Sequence, residues 1–402
     1  MKIALACPAS LPATQFGGIM FLSLDIAKES AKLEHDVTIF TTDMDFANNA
    51  KTFNNNLPRQ EIVDKFLINR SHTWFSIHLF FVNPGMYKQM KDGKFDIIHT
   101  IGIRSFQSLI AAMIARRKNI PLVISDQGGL TTHPDLTSSW TKKILIKLQK
   151  PLIQYIINTA TRISVPNEYE KKIFLEFCPA SKIAIIPNGI NLDILKTNEI
   201  DFKKKYGIDS DFVLFLGRFH KIKGLDVLIE SINILKNRIK EKKIKFVIMG
   251  VDFGFESEMI QTIKKYGLDN LVKIIKNPPR VDVIAAYRES KFLVYPSRWE
   301  LSPLTPLEGF AFKKTIISTN AHGIPSTLQH NHNCILVEPD DPNSLSESIL
   351  ELLNDEEKCE KFGNSGHELV LEKRNSKVMV KSTLTMYEQI IKEYSSSNQL
   401  SK

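Results

Sequence analysis

The chain has 402 residues, of which 43% are hydrophobic and 24% are charged, and its formal net charge is +9. This length is enough for two ordinary domains with cores of their own, and the composition is typical of a globular protein rather than a disordered or fibrous one. The excess of Lys and Arg favours acidic partners, such as nucleotide diphosphates or an anionic lipid surface. A nucleic-acid partner is disfavoured, because no basic and aromatic platform or nucleic-acid motif accompanies the charge.

The spacing of the cysteines and the length of the apolar segments indicate in which cellular compartment the protein works. Cys7, Cys178, Cys334 and Cys359 show no CxxC or His-paired spacing, which favours a reduced setting and predicts no metal site. The apolar run at residues 1–8 is too short for a signal peptide and is predicted as a first strand. No run approaches the roughly 18 apolar residues of a membrane-spanning helix. We therefore expect a cytoplasmic protein, at most peripheral at the inner face of the membrane.

The first predicted elements are a strand at residues 3–7, a helix at 19–33 and a strand at 37–41, which together make a βαβ unit. Gly17 and Gly18 precede the helix, where backbone N–H groups at its N-terminus can approach a phosphate closely. A simple Gly-Gly turn explains the same pair, because no GxGxxG motif is present. Both interpretations stay open.

Two further buried strands are predicted to end in polar side chains. His99 lies near the end of one, and Asp126, Gln127 and Gly128 follow the other. Because the carboxyl ends of parallel strands line the crevice of an α/β sheet, these residues are candidates for contact with a substrate. A His at a strand end is equally often a satisfied structural group.

Two segments of the first half combine apolar and aromatic residues in an unusual way. Residues 73–82 are strongly apolar and aromatic, and residues 140–150 mix lysines with Ile and Leu. The lysines of the second segment are Lys142, Lys143, Lys147 and Lys150. As a helix, this segment places cationic and apolar faces side by side, as in proteins that rest on anionic membranes. An ordinary core helix with a solvated Lys face is the favoured alternative.

The domain boundary is predicted near Asn191. A short strand at residues 183–186 is stopped by Pro187 and followed by an Asn-Gly turn. A new series of strands, loops and helices then begins.

A basic loop follows the first strand of the second half. The strand at residues 212–216 leads to Arg218 and Lys223, and a helix is predicted to begin near Gly224. A fork-shaped cation and a mobile point charge at the edge of a sheet suit the neutralisation of a diphosphate leaving group. Taken alone, such loop cations are usually just solvated.

The most informative stretch is residues 295–310, in which Glu300 and Glu308 stand eight positions apart. Glu300 is predicted at the carboxyl end of a short strand. Thr305 and Pro306 predict a helix start, with Thr as N-cap and Glu308 in the first turn. Glu308 is therefore also explained as the partner of a capping box, and Glu300 as a solvated loop carboxylate.

The spacing of this pair, after a strand that ends in Pro-Ser, resembles the signature of retaining glycosyltransferases with the two-domain GT-B architecture, especially family 4. The resemblance implies an α/β fold with two doubly wound Rossmann-like domains facing each other across a cleft. We place them at residues 1–190, which would bind the acceptor, and 191–377, which would bind a nucleotide-sugar. A helix at about 378–394 is expected to pack back on the first domain.

The resemblance also implies roles for individual residues. Glu308 would hold the ribose of the donor and Glu300 would lie beside the sugar ring, while Arg218 and Lys223 resemble the family's diphosphate clamp. The loop ending at Arg280 occupies the place where the family packs its nucleobase.

This chain departs from the family pattern at two places. Gln127 and Gly128 stand where many relatives have a His-Gly that touches the sugar, so a role that needs imidazole there would fall to His133. Between the two glutamates this chain has Ser302 and Pro303. Proline removes one backbone donor to the diphosphate, and those of Leu304 and Thr305 remain.

The sequence thus predicts transfer of a sugar from a nucleotide diphosphate-sugar to an acceptor hydroxyl, with retention at the anomeric carbon as the resemblance implies. We expect no metal and no cofactor, and a glycan, lipid-linked or small hydroxyl acceptor. The alternatives are a sugar-nucleotide-binding protein without turnover, and an epimerase or hydrolase on the same scaffold.

Overall fold

The structure, a computed structural model, describes residues 1–45, 52–77, 80–128, 130, 140–196 and 200–400. The chain divides into two compact units. The first contains Met1–Asn188 and Ser376–Lys402, and the second contains Gly189–Asn375. The sequence placed the two boundaries after residues 190 and 377, slightly further along the chain.

The first unit begins with the predicted βαβ unit and continues as an alternation of strands and helices. Its strands are β1 (Lys2–Ala6), β2 (Asp36–Thr42), β3 (Met44–Asp45), β4 (Thr52–Phe53), β5 (Gln60–Val63), β6 (Phe66–Ser71), β7 (Phe75–Ile77), β8 (Phe80–Val82), β9 (Ile97–Ile101), β10 (Leu122–Ser125), β11 (Arg162–Val165) and β12 (Ile183–Ile185). Its helices before the boundary are α1 (Gly18–Lys32), α2 (Gly85–Asp92), α3 (Phe106–Lys118), α4 (Trp140–Thr159) and α5 (Glu168–Phe174).

The main sheet of the first unit runs in the order β12-β11-β10-β9-β1-β2-β6-β5. Neighbouring strands are parallel except β5 and β6, which are antiparallel. Strands covered on both faces are near-continuous apolar runs, and β1 follows this rule, since its last four residues are buried. The strand order reverses between β1 and β9, which makes that point the crevice of the sheet.

The second unit repeats the same kind of alternation. Its strands are β13 (Asp211–Leu216), β14 (Ile244–Gly250), β15 (Val272–Lys276), β16 (Leu293–Tyr295), β17 (Ile316–Thr319) and β18 (Cys334–Val337). Its helices are α6 (Phe202–Tyr206), α7 (Leu225–Ile234), α8 (Lys236–Glu241), α9 (Glu256–Lys265), α10 (Arg280–Glu289), α11 (Leu304–Ala311), α12 (Pro342–Asn354) and α13 (Glu356–Glu372).

The sheet of the second unit is parallel throughout and runs in the order β15-β14-β13-β16-β17-β18. Two apolar clusters cover its faces, as a doubly wound domain requires. The order reverses between β13 and β16, so the loops after these two strands border the crevice. The predicted fold class, two Rossmann-like α/β domains, is confirmed.

The last helix, α14 (Ser376–Leu400), belongs to the first unit, as the sequence predicted for its final helix. Val380, Tyr387 and Ile390 are completely buried in one cluster with Ile3 and Leu5 of β1. This burial ties the end of the chain to the core of its first unit.

Helix α4 is longer than the predicted residues 140–150, because it continues through Pro151 to Thr159. A search of the described helices finds none whose length and hydropathy would let it cross a bilayer.

Candidate active site

The loops after β13 and β16 bring Lys223 and Glu300 together at the crevice of the second unit. Lys223 and Glu300 form an ion pair, and the Tyr295 hydroxyl also donates to the Glu300 carboxylate. Ser297 lies 3.4 Å from the same carboxylate oxygen. We call these four residues the Lys223 network. Sequence reasoning named the ion pair's two members, but it missed the two hydroxyls.

Burial and mutual attraction determine the charges of this network. Burial raises the pKa of the Glu300 carboxyl, but the Lys223 ammonium and the hydrogen bonds from Lys223 and Tyr295 more than offset it, so the pKa is lowered. Burial lowers the pKa of Lys223, Glu300 offsets part of this effect, and Arg218 adds to the lowering. Burial and the Glu300 charge raise the pKa of Tyr295, which therefore stays a hydrogen-bond donor. Lys223 and Glu300 thus keep each other charged.

Gly224 explains why Lys223 can reach this position. The residue adopts φ +68°, and a Cβ atom there would lie 2.0 Å from the carbonyl oxygen of Pro296. Only glycine fits this close approach in a left-handed conformation. The backbone of the Lys223 loop is therefore held directly against the loop that carries Glu300.

Glu308 lies in α11 and makes a second cluster, the Glu308 cluster, with Arg280 and Tyr287. Arg280 Nη1 and Nη2 donate to Glu308 Oε2 and Oε1 at 3.0 and 2.5 Å, in the bidentate geometry of a guanidinium and a carboxylate. The Tyr287 hydroxyl donates to Oε2 at 3.0 Å. Burial and the Glu308 charge raise the pKa of Tyr287, so this hydroxyl also remains a donor.

The predicted start of this helix is wrong. Helix α11 begins at Leu304 with Pro303 in the N-cap position, whereas the sequence placed Thr305 there. No side-chain cap is formed, and the Glu308 carboxylate is taken up by Arg280 and Tyr287 instead of a capping box. Glu300 lies in the loop that follows β16, whose last residue is Tyr295, so it stands past the carboxyl end of the strand as predicted.

The remaining donor-side candidates surround these clusters. Arg218 is exposed in the loop after β13, and its guanidinium lies 5.0 Å from the ring centre of Phe253. Ser302 precedes α11, and Leu304 and Thr305 form its first turn, all three being half-buried. The structure thus puts one exposed cation and one helix N-terminus at the same sheet edge as the Lys223 network.

In the first unit, Gly17 and Gly18 stand at the N-terminus of α1, as predicted. Gly17 is the N-cap residue and adopts φ +102°, a conformation that L side chains rarely take. Phosphate binding at the start of this 15-residue helix and a simple turn both stay predictions.

His99 is a structural residue here and not an exposed strand end. It lies inside β9, is 1% exposed, and hydrogen-bonds the Tyr387 hydroxyl through Nδ1 at 2.5 Å and the Ser125 hydroxyl through Nε2 at 2.8 Å. Burial lowers its pKa to about 3, which keeps the imidazole neutral. We leave His99 out of the site, because both ring nitrogens are already occupied.

The Gln127 amide also has a partner that the sequence did not show. Gln127 and Asn188 form a reciprocal amide pair, with N···O distances of 3.1 and 2.8 Å. Gln127 and Gly128 both adopt positive φ, at +56° and +107°. If Gln127 contacts a sugar, its side-chain amide must therefore leave Asn188 or bind Asn188 and the sugar together. His133 lies outside the described residues.

Asp126 holds the turn that carries Gln127. It is completely buried, and its carboxylate accepts the backbone N–H groups of Ile103 and Leu130 at 3.2 and 2.6 Å. Asp126 therefore acts on the turn's backbone, and its buried position does not fit the sugar contact that the sequence suggested.

Glu170 is a buried carboxyl that sequence reasoning missed. It lies on α5 and is completely buried, and among the described residues neither carboxyl oxygen has a hydrogen-bond partner of good geometry. Burial raises its pKa well above the ordinary value, and the nearby Asp126 raises it further, whereas the backbone N–H groups of Gly128 and Gln127 lower it. This shift of the pKa favours the neutral, protonated form of the Glu170 carboxyl. Charged residues surround Glu170 in the sequence, so nothing in the sequence indicated that its side chain is buried.

Among the described residues, no group of three His, Cys, Asp or Glu side chains is arranged to hold a metal ion. Cys7 and Cys334 are buried, and burial raises their thiol pKa values to about 11 and about 12. Such thiols are poor nucleophiles.

Two family models match consecutive parts of the chain. The model described as Glycosyltransferase Family 4 matches residues 16–194, and the model described as Glycosyl transferases group 1 matches residues 197–369. The boundary between the two matches falls close to that between the two units.

Individual relatives point the same way. An uncharacterized glycosyltransferase of Methanocaldococcus jannaschii is 28% identical over 65% of this chain and 67% of its own length. The UDP-Gal:alpha-D-GlcNAc-diphosphoundecaprenol alpha-1,3-galactosyltransferase of Escherichia coli is 26% identical over 67% of this chain and 69% of its own. The solved structure of Anabaena Alr3699/HepE in complex with UDP and glucose shares the fold, with a TM-score of 0.74 and 16% identity over 96% of this chain and 99% of its own.

Proposed function

Because this chain belongs to the glycosyltransferases of GT-B fold, with a family 4 first unit and a group 1 second unit, we propose that it transfers a hexosyl group from a nucleotide diphosphate-sugar to an acceptor hydroxyl with retention. The donor would bind at the carboxyl edge of the second unit. The solved neighbour that binds UDP and glucose supports a nucleotide-sugar as the donor class.

The observation that carries this proposal is the ion pair of Lys223 and Glu300 at the crevice of the second unit, whose side chains are only 9% and 13% exposed. Departure of a nucleoside diphosphate increases negative charge on its oxygens, and a cation already in place in a water-poor site stabilises that charge most effectively. Lys223 supplies such a cation. Arg218, exposed on the same loop, adds a fork-shaped one that suits phosphate oxygens.

Glu300 has a second role in this mechanism. As the leaving group departs, positive charge develops at the anomeric carbon, and a carboxylate nearby stabilises it. The lowered pKa of Glu300 keeps that carboxylate ionised. Lys223 and Tyr295 fix its orientation, so it does not need to reorganise during the reaction.

Glu308 would bind the ribose of the donor. Its carboxylate already has two kinds of partner, the guanidinium of Arg280 and the hydroxyl of Tyr287, and a ribose diol would take the remaining acceptor positions. Ser302 and the backbone N–H groups of Leu304 and Thr305 would contact the diphosphate. The N-terminus of α1 at Gly17 and Gly18 is proposed as a further phosphate-binding position of the first unit.

The proposed reaction needs no protein nucleophile. The bond between the anomeric carbon and the phosphate oxygen breaks, the acceptor oxygen forms the new bond on the same face, and the acceptor proton passes to the leaving phosphate. We propose that no metal ion takes part. Unchanged turnover in the presence of a chelator is the expected result, and loss of turnover that Mg²⁺ restores would contradict it.

The acceptor is proposed to be a cell-surface glycan or glycolipid precursor. The E. coli relative carries a lipid-linked diphosphate acceptor in its name, which supports this class. Gln127 and Gly128, on a turn held by buried Asp126, are the candidates for contact with sugar hydroxyls.

The first experiment is thermal stabilisation of the protein by a panel of nucleotide-sugars and nucleoside diphosphates. A donor at 100 times its dissociation constant should stabilise the wild type by roughly 2.7 kcal/mol. Glu308→Ala should lose this stabilisation. Glu241→Ala, which removes an exposed carboxylate paired with Arg238 on α8, is the matched control and should keep it.

Stabilisation by one nucleotide series, lost in Glu308→Ala alone, supports the donor site and identifies the base. Product analysis with that donor then distinguishes the activities: free sugar without acceptor indicates a hydrolase, an isomerised donor an epimerase, and no product with any acceptor a binding protein. If nothing stabilises the wild type, the donor site is wrong.

A further inference from the structure

Two neighbouring elements of the first unit expose large apolar side chains to an unusual extent. Trp74 is 70% exposed, and Phe75 and Ile77 of β7 are more than half exposed. On α4, Trp140 and Leu148 are 73% and 72% exposed, with Ile144 between them at 47%. We call these six residues the apolar surface. It includes both exposed tryptophans of a chain that has three in all.

The apolar residues of α4 form a stripe on one side of the helix. Trp140, Ile144 and Leu148 are spaced four residues apart, so they follow one another along a single face. That face points to solvent, where a helix packed on a core normally carries polar residues. The alternative favoured from the sequence, an ordinary core helix with a solvated Lys face, does not account for an exposed stripe of this kind.

The hairpin of β7 and β8 and the helix α4 are both attached to the start of α3. Phe80 of β8 packs edge-on against Phe106, with ring centres 5.8 Å apart. Arg104 Nη1 donates to Gln149 of α4 at 3.2 Å. Because Arg104 and Phe106 flank the N-cap residue Ser105, the two exposed groups lie at the same end of α3.

The charged residues of the two segments that carry the apolar surface have one sign. Helix α4 contains four lysines and no Asp or Glu, and Lys147 and Lys150 are exposed beside the apolar stripe. Residues 73–82, which include the hairpin, contain no Asp, Glu, Lys or Arg.

We propose that the apolar surface, with Lys147 and Lys150, docks this protein onto the surface of an anionic phospholipid bilayer. The exposed tryptophans and aliphatic side chains enter the boundary between headgroups and acyl chains, and the lysines pair with lipid phosphates. Charge complementarity selects this occupant, since a second copy of the chain would bring the same positive charge against itself. The proposal does not require glycosyl transfer.

Vesicle co-sedimentation of the full chain tests it. The wild type should bind vesicles of phosphatidylcholine with phosphatidylglycerol at low salt, bind phosphatidylcholine alone weakly, and lose binding as salt rises. Each lysine near an anionic surface contributes about 1 kcal/mol, or about fivefold, so K147E/K150E should weaken binding by at least about 25-fold. K240E/K242E, with the same charge change at exposed positions of the second unit, should bind as the wild type does.

The apolar part is tested separately. W74S/F75S in the hairpin and I144S/L148S in the helix should each weaken binding by at least about tenfold. I62S, at another exposed aliphatic residue of the first unit, is the control and should not. Circular dichroism checks that each variant is folded. If I144S/L148S does not fold, the contribution of α4 is judged from K147E/K150E alone.

Tryptophan fluorescence gives a readout that needs neither activity nor sedimentation. In W140F the signal comes from Trp74 and buried Trp299, and in W74F from Trp140 and Trp299. Brominated lipid in anionic vesicles should quench part of the emission in both variants. The proposal is overturned if the wild type does not bind anionic vesicles, or if K147E/K150E and K240E/K242E bind equally. It is also overturned if the serine variants only convert an oligomer into a monomer, which would identify a second copy as the occupant.

Discussion

The carboxyl edges of the two sheets handle buried charge in opposite ways. In the second unit, Glu300 is paired with Lys223 and Glu308 with Arg280, so each carboxylate meets a cation. In the first unit, Asp126 is held by backbone N–H groups and Glu170 lies beside it.

The two edges are therefore suited to different kinds of ligand. An edge built from ion pairs can meet a polyanion, because its cations are already in place and a ligand's phosphate can share them. The first edge has a carboxyl whose raised pKa favours its neutral form, an amide pair and a turn with positive φ. Such an edge offers neutral donors and acceptors, which suit hydroxyl groups. The contrast agrees with a donor in the second unit and an acceptor in the first.

The largest expected effect comes from removing the cation of the Lys223 network. Lys223→Met should lower kcat by at least about 100-fold, because one preorganised stabiliser of the leaving group is lost. It should also destabilise the fold by about 3–5 kcal/mol, since Glu300 would remain buried without its partner. Steady-state kinetics with the identified donor and chemical denaturation measure the two effects.

The double variant Lys223→Met with Glu300→Gln separates catalysis from folding. Removing both charges should restore most of the lost stability, because no uncompensated charge stays buried. Activity should stay low. If the double variant recovers activity together with stability, Lys223 is only structural and the contrast between the two edges loses its functional meaning.

The next effect concerns donor affinity. Glu308→Gln should raise the Kd for the nucleotide-sugar by about tenfold or more, as expected for weaker hydrogen bonds from a carboxylate replaced by an amide. Its kcat at saturating donor should change little, because the ribose contact is made equally in the ground state and the transition state. Isothermal titration and kcat measurements distinguish the two. A fall in kcat with unchanged Kd would assign Glu308 to the chemistry.

Many strands could be predicted from the sequence, because buried parallel strands are short apolar runs that end at polar residues, glycine or proline. The strands near Ile3, Val37 and Phe212 were predicted within a residue or two of their actual bounds. The start of α11 was not, because Thr305 and Pro306 form a locally plausible start that tertiary packing overrides. Helix α4 continues beyond the segment at residues 140–150 that the sequence singled out, through Pro151, where a helix normally ends.

The site was predictable only as far as its charged groups could be placed on strand ends. Arg218, Lys223, Glu300 and Glu308 all lie at the carboxyl edge of the second unit, as the sequence suggested. Their partners were not predictable, because Tyr287 and Asn188 are far apart in sequence from the residues that they contact. Glu170 was missed for the same reason, since Asp126, which raises its pKa, is also distant in the sequence.

A pH experiment tests the uncompensated carboxyl of the first unit. The folded-state pKa of Glu170 is raised above its ordinary value of 4.5, so above about pH 4.5 the unfolded chain loses a proton that the folded protein keeps. Rising pH therefore lowers the free energy of unfolding in this window. Glu170→Gln should be more stable than the wild type at pH 8 and similar to it near pH 4.5, by thermal denaturation.

Glu168→Gln is the matched control for this prediction. Glu168 lies on the same helix, is exposed and pairs with Lys171, so its replacement should leave the pH dependence unchanged. Equal pH dependence in the wild type and Glu170→Gln would mean that Glu170 is ionised in the folded state, and the first edge would then carry a buried charge as the second does.

The smallest expected effect concerns His99, which the structure makes a neutral part of the core of the first unit. Tyr387→Phe removes one hydroxyl partner of its ring and should cost about 1 kcal/mol of stability without changing kcat. The folded-state pKa of about 3 lies below the ordinary 6.5, so stability is fully present above pH 6.5 and falls as the pH drops towards 3, when the unfolded chain takes up the proton. Because burial causes this shift, Tyr387→Phe should keep the acid-side loss of stability. Tyr394 lies on the same helix as Tyr387, and its hydroxyl makes a surface hydrogen bond to Asn119, which follows α3. Tyr394→Phe is therefore the control and should change neither the stability nor kcat. If the pH–rate profile of Tyr387→Phe shifts near pH 6.5, His99 takes part in the reaction and is not only a structural residue of the core.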